Sequence, residues 1–129
     1  MDNSSLRWEE GMRMVANLDG HEIVLDALEE KGGTNKGASP MKLVLASLMG
    51  CTTMDVVYIL RKMRQDFTAV DVQVSSSERA EEHPKIFTKI HLTFNIKGNN
   101  LKKTKYTKRS NYRRKNTAPL QACSKVQLK

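Results

Sequence analysis

The stretch Ser39-Pro40-Met41-Lys42-Leu43-Val44-Leu45-Ala46-Ser47-Leu48-Met49-Gly50-Cys51-Thr52-Thr53-Met54-Asp55-Val56-Val57-Tyr58-Ile59-Leu60 decides the fold. Ser39 is a good helix N-cap, and Pro40 then falls at the first helical position, where its missing N–H costs nothing. Apolar residues recur at Met41, Val44, Leu45, Leu48, Val56, Ile59, Leu60 and Met63, with Thr52 in the same stripe, which is helical spacing. The reading is a helix from Pro40 to about Arg64. Its opposite side is also largely apolar until Arg61, so the helix is expected to be buried on most sides. Cys51 sits in its middle. A thiol there is either inert packing or a sheltered reactive group, and free cysteine is among the most buried residue types.

Strand patterns flank the helix. Leu6 to Asn17 and His21 to Leu28 read as two strands joined by Leu18-Asp19-Gly20, an Asp-Gly turn signal. Lys31 to Ala38 is Gly-rich but has neither a G-x-G-x-x-G nor a G-K-[ST] pattern, so it reads as a connection and not a phosphate cradle. Val70, Val72 and Val74 alternate with polar residues, as in a half-buried strand. Ile86, Thr88, Ile90, Leu92, Phe94 and Ile96 share one face of another strand, opposite Phe87, Lys89, His91, Thr93 and Asn95. The polar run Ser75 to Pro84 is expected to hold the turn. The order strand–strand–helix–strand–strand points to an α+β fold with an antiparallel sheet packed on a long central helix. Four short strands cannot cover so apolar a helix, and a second subunit is the economical way to do so.

The chain has 129 residues, a formal net charge of +8 and two cysteines. No secretory h-region follows Met1, and no apolar run is expected to span a membrane. These features suggest a single soluble, cytoplasmic domain with reduced thiols. The charge is unevenly placed. Residues 1–100 hold 12 Lys/Arg and 14 Asp/Glu, and residues 101–129 hold 10 Lys/Arg and no acid. Such asymmetry raises a polyanion-binding alternative. Tyr106 and Tyr112 are the tail's only aromatics, too few for a base-stacking platform, so a nucleic-acid partner is disfavoured.

Few side chains could support chemistry at Cys51. Asp55 lies one turn further on and would disfavour the thiolate without a cation nearby. Arg13 could supply one if its strand face points inward. Glu78 and Arg79 fall on the strand-to-strand connection, where a solvated charge pair is the plainer reading. His21, His83 and His91 lack metal-ligand spacing with each other or with Cys51, and neither metal nor cofactor is expected.

Gly37-Ala38-Ser39-Pro40-Met41, Gly50-Cys51-Thr52 and Asp55-Val56-Val57 with Ile59-Leu60 together resemble the OsmC/Ohr family, named for osmotically inducible protein C and organic hydroperoxide resistance protein. The resemblance continues through Glu78-Arg79-Ala80-Glu81-Glu82-His83-Pro84 and Phe87-Thr88-Lys89-Ile90-His91-Leu92, and covers about Arg7 to Leu101. It implies an intertwined homodimer with two central helices and a cysteine pair in each subunit. It also implies peroxidase activity on organic hydroperoxides, with reduction by an external dithiol. The first cysteine of the pair corresponds to Cys51. Lys42 stands where the nearest branch has Glu, and the Arg–Glu pair that supports the cysteine in the hydroperoxide-resistance branch has no secure counterpart.

The resemblance stops at the basic tail. The family's next helix, of the form A-I-E-L-S-E-E-K-Y-C-S-x-x-x-M-L, carries the second cysteine. Nothing like it is written here. It emerges when each codon takes the third base of one residue and the first two of the next. Arg109-Ser110 then admits Ile, Asn111-Tyr112 Leu, Thr117-Ala118 Cys and Ala122-Cys123 Met, with every other position of the pattern admitted in order from Lys108. The expectation is therefore an OsmC-like domain over 1–101, truncated by a shift of frame, and a tail over 102–129 that is out of frame. On that reading Cys123 is accidental, the tail packs poorly, and peroxidase activity is impaired. A non-catalytic OsmC-like protein is the further alternative.

Overall fold

The computed structural model describes residues 3–102 and the backbone of 121–128. The chain separates into two compact units, Met1–Leu48 and Met49–Lys129, and the helix straddles the boundary.

The first unit is a three-stranded antiparallel sheet in the order β1 (Ser4–Glu10), β2 (Arg13–Leu18) and β3 (His21–Leu25). The sequence reading had one strand over Leu6–Asn17. The structure folds it into a hairpin, because Gly11 adopts φ 53°, a left-handed conformation that glycine takes without steric cost. Leu18-Asp19-Gly20 makes the expected second turn, with the Gly20 N–H donating to the Asn17 side chain at 2.9 Å. Rows such as Trp8–Met14–Leu25 and Leu6–Ala16–Ile23 lie in register across the three strands. Trp8 and Leu6 are exposed, while Val15 and Leu25 are buried. Beyond β3 the chain turns through a 3-10 turn at Glu29–Lys31, and Leu25 bridges to Ala38.

Helix α1 runs from Pro40 to Lys62, close to the range expected. The Ser39 Oγ accepts the Lys42 N–H at 3.4 Å, a long first-turn cap. Its burial differs from expectation. Only Leu45 and Leu60 are buried, and only 11% of its most apolar window is. By length and composition α1 is also long and apolar enough to cross a membrane, which corrects the expectation that no run reaches that length.

The second unit pairs β4 (Asp66–Arg79) antiparallel with β5 (Phe87–Asn99). Both strands outrun the sequence reading. Ser75 to Arg79 belong to β4, and the connection is shorter, 80–86. The buried residues Ile90, Leu92, Phe94 and Ile96 form the expected face of β5. Its start differs. Phe87 is buried and Ile86 is exposed, because the register shifts between Glu78 and Arg79 and exchanges the parity of the strand end.

A third strand, β6 (Gln121–Leu128), runs parallel to the other edge of β5, pairing Ala122 with Ile90, Val126 with Phe94 and Leu128 with Ile96. This corrects the expectation of an unpatterned tail over its last residues. Ala122, Val126 and Leu128 fall at even spacing opposite Gln121, Lys125 and Gln127, in keeping with the two-residue period of a strand, and the second edge of β5 offers backbone groups to pair with. Residues 103–120 lie outside the described residues, as does the side chain of Cys123. Among the described residues the fold is α+β with antiparallel strand pairing, save this parallel ladder and the isolated parallel bridge Leu25–Ala38.

Gly98 shows how closely β4 and β5 approach. A Cβ there would collide with the Asp66 carbonyl oxygen on β4. Gly98→Ala is expected to destabilise the protein by about 1–3 kcal/mol, the usual range for overpacking, measured as a lowered urea midpoint.

Candidate functional site

Cys51 lies exposed on α1. The reading of an inert, packed thiol therefore fails within one subunit. Helical spacing sets it in a stripe with Val44, Ser47, Met54, Asp55 and Tyr58, and every one of these is exposed. Met54 is 75% exposed and Tyr58 66%, which makes this stripe the most open apolar surface of the helix. Gly50, next to the thiol, has no atom within 4 Å of where a Cβ would stand. The Thr53 hydroxyl donates to the Met49 carbonyl at 2.6 Å, and the Thr52 hydroxyl to the same oxygen at 3.1 Å. The two hydroxyls that follow Cys51 are thus turned back onto the helix backbone.

Neither Asp55, Glu78 nor Arg79 forms a hydrogen bond or ion pair with Cys51 among the described residues. Asp55 shares its helical face, and no cation pairs with it among the described residues. Arg13 is engaged within its own hairpin. Its Nε donates to Glu9 at 3.1 Å and its Nη2 to Glu10 at 2.8 Å, so two carboxylates already neutralise it. Glu78 and Arg79 sit at the end of β4 and not on the connection, and they do not pair with each other. Glu78 lies 3.7 Å from Lys89 across the strands. Arg79 donates from Nε to the Lys85 carbonyl at 2.8 Å and lies 5.7 Å from the centre of the Phe87 ring. This clamp closes the 80–86 connection, in which His83–Pro84 is a cis peptide. Among the described residues no three His, Cys, Asp or Glu side chains gather as a metal site. A shallow depression of about 350 Å³ lined by Asp71, Val72, Gln73, Asn95 and Lys97 contains none of the candidate residues.

The sequence reading passed over Asp26, the one buried charged side chain among the described residues. Its carboxylate accepts the Thr34 hydroxyl at 2.6 Å and the backbone N–H groups of Ala27 (2.7 Å), Thr34 (3.2 Å) and Lys36 (3.1 Å). The Thr34 hydrogen bond, ahead of burial, which opposes it, and the three backbone donors, holds the carboxyl at about 2. The signal was an Asp ending a strand ahead of a Gly/Thr/Asn loop, the composition of side-chain-capped turns.

Comparison with known proteins agrees with the fold. The family described as OsmC-like protein matches residues 33–120. Protein YhfA of Escherichia coli (strain K12) is 40% identical over 98 residues, which cover 75% of this chain and 69% of YhfA. Among solved structures, an OsmC-like protein from Mycoplasma pneumoniae superposes with a TM-score of 0.75 at 18% identity, over 99% of this chain and 96% of that one. A protein from Aquifex aeolicus VF5 gives 0.70 at 21% identity, over 100% and 98%. The chain belongs to the OsmC-like family, with Cys51 in its central helix.

Proposed function

We propose that this protein is a cytoplasmic thiol peroxidase that reduces organic hydroperoxides through Cys51, as a homodimer joined along α1. The observation that carries the reading is an exposed thiol centred on an apolar stripe, in a member of the OsmC-like family. The Cys51 thiolate attacks one peroxide oxygen, the O–O bond breaks, and the departing alkoxide is protonated to an alcohol. The sulfur is left as a sulfenic acid. A second thiol then attacks that sulfur, releases water and forms a disulfide, which an external dithiol reduces. Val44, Met54 and Tyr58 offer apolar contact that suits an organic substituent better than hydrogen peroxide. Asp55, one turn from Cys51 on the same helical face, disfavours the thiolate, and Arg13, Glu78 and Arg79 are given no part in bond breaking.

The dimer covers what one subunit leaves open. Gly50→Ala separates the two situations. In an isolated helix the change is stabilising by about 1 kcal/mol. With a second copy packed against Gly50, the added methyl weakens association instead. Sedimentation at micromolar concentration is expected to show a wild-type dimer and a shift of the variant towards monomer. A fully folded wild-type monomer would refute the assembly.

The activity is tested with an aryl or alkyl hydroperoxide and a dithiol reductant. Cys51→Ser is expected to consume none, with its secondary structure unchanged. In the chain as written the thiol reacts once and then passes to sulfinic acid under excess peroxide, because Cys123 falls out of sequence register with the family's second cysteine. Mass spectrometry should show Cys51 carrying two oxygens. Repeated turnover through a Cys51–Cys123 disulfide would overturn that account.

A further inference from the structure

We infer that the reading frame slips by a single base near Leu101, and that the native chain carries a mixed-charge helix with a second cysteine in place of the basic tail. Two observations converge. The first is the apolar pattern. After the buried row of β5, a strand that ends at Asn99, residues 100–120 hold eight Lys/Arg, no acid and no helical apolar period, so they are poorly suited to cover a sheet.

The second observation is the charge break itself. A helix rich in Glu and Lys is encoded largely by GAA, GAG, AAA and AAG. Displaced by one base, such a stretch reads as Lys and Arg and almost never as Asp or Glu. The 10 cations and zero acids of 101–129, after 14 acids in 1–100, are what that displacement produces. Read backwards, codons ending in the first two bases of a written Lys or Asn become Lys, Gln or Glu, or a stop where the preceding base is T. Codons ending in the first two bases of Tyr106 and Tyr112 become Leu, Ile or Val whatever base precedes them. Glu, Lys and Leu are strong helix formers, and the apolar residues return among them. The codon straddling Thr117 and Ala118 admits cysteine.

The slip lies upstream of Gln121–Leu128, so the strand beside β5 is rewritten with the rest.

The functional half of the inference rests on the thiol-peroxidase reading, and the frame does not. The gene is resequenced across the codons for Gly98 to Lys105, and the intact mass of the protein isolated from its source is measured. The expected result is one additional base and a mass other than 14.6 kDa. An uninterrupted frame with a mass of 14.6 kDa overturns the inference whatever the activity. With the frame restored, peroxide followed by mass spectrometry should join Cys51 to the new cysteine and give sustained turnover. A restored frame without turnover leaves the frame standing and refutes the peroxidase reading alone.

Discussion

Replacing Phe94 with alanine is expected to lower folding stability by about 3–5 kcal/mol, enough to unfold much of the population near 25 °C. Phe94 is 2% exposed, lies mid-strand in β5 opposite Val72, and belongs to the buried row Ile90, Leu92, Phe94, Ile96. Removing its ring forfeits transfer free energy and leaves a cavity between strands held too firmly to collapse. Urea denaturation at fixed protein concentration measures the loss. A loss under about 1 kcal/mol, within the range of ordinary surface substitutions, would mean that this row is not the core of the second unit.

Asp26→Ala is expected to release the 27–38 loop. The substitution strands the Ala27, Thr34 and Lys36 N–H groups and the Thr34 hydroxyl, four donors that converge on one carboxylate. Buried donors left unpaired are costly. Trypsin should then cut at Lys31 and Lys36 faster than it does in the wild type, while β1–β3 persist. Added formate, a small carboxylate, should slow the cutting again. The pH dependence has a definite sign. The folded pKa, about 2, lies below the usual unfolded value of about 3.9. The contribution is complete above about pH 4 and fades as pH falls towards about 2. Asp26→Asn should abolish that part of the acid transition. An acid transition unchanged in the variant would show that another group drives it.

Much of the fold was legible because periodicity reports burial. Val70–Val74 and Ile86–Ile96 alternate, α1 repeats at helical spacing, and each forms the expected element. The misreadings have separate physical causes. Gly11 hides a turn inside a run of strand-like residues, since only its positive φ marks it. Ile86 and Phe87 exchange places because register belongs to the strand pair and not to either strand alone. The exposed face of α1 looked buried because its apolar character was read as burial, whereas within this chain only Leu45 and Leu60 of the helix are buried. Of the candidate site, Cys51 was legible by position and motif. The partners of Arg13 and Arg79 were not, since Glu9, Glu10 and Lys85 are found only once strands pair and loops close. Asp26 showed in the sequence only through the turn-forming composition of the loop after it, because its donors lie up to ten residues away.

The closed ring of donors around Asp26 explains the chemistry of the Gly-rich loop better than the missing motif does. A loop of glycine, threonine and lysine with converging N–H groups is a nest that would welcome a phosphate. Here the nest is already filled by a carboxylate covalently attached to the chain. The protein carries its own resident anion, and a nucleotide or sugar phosphate would have to displace a tethered competitor that never diffuses away.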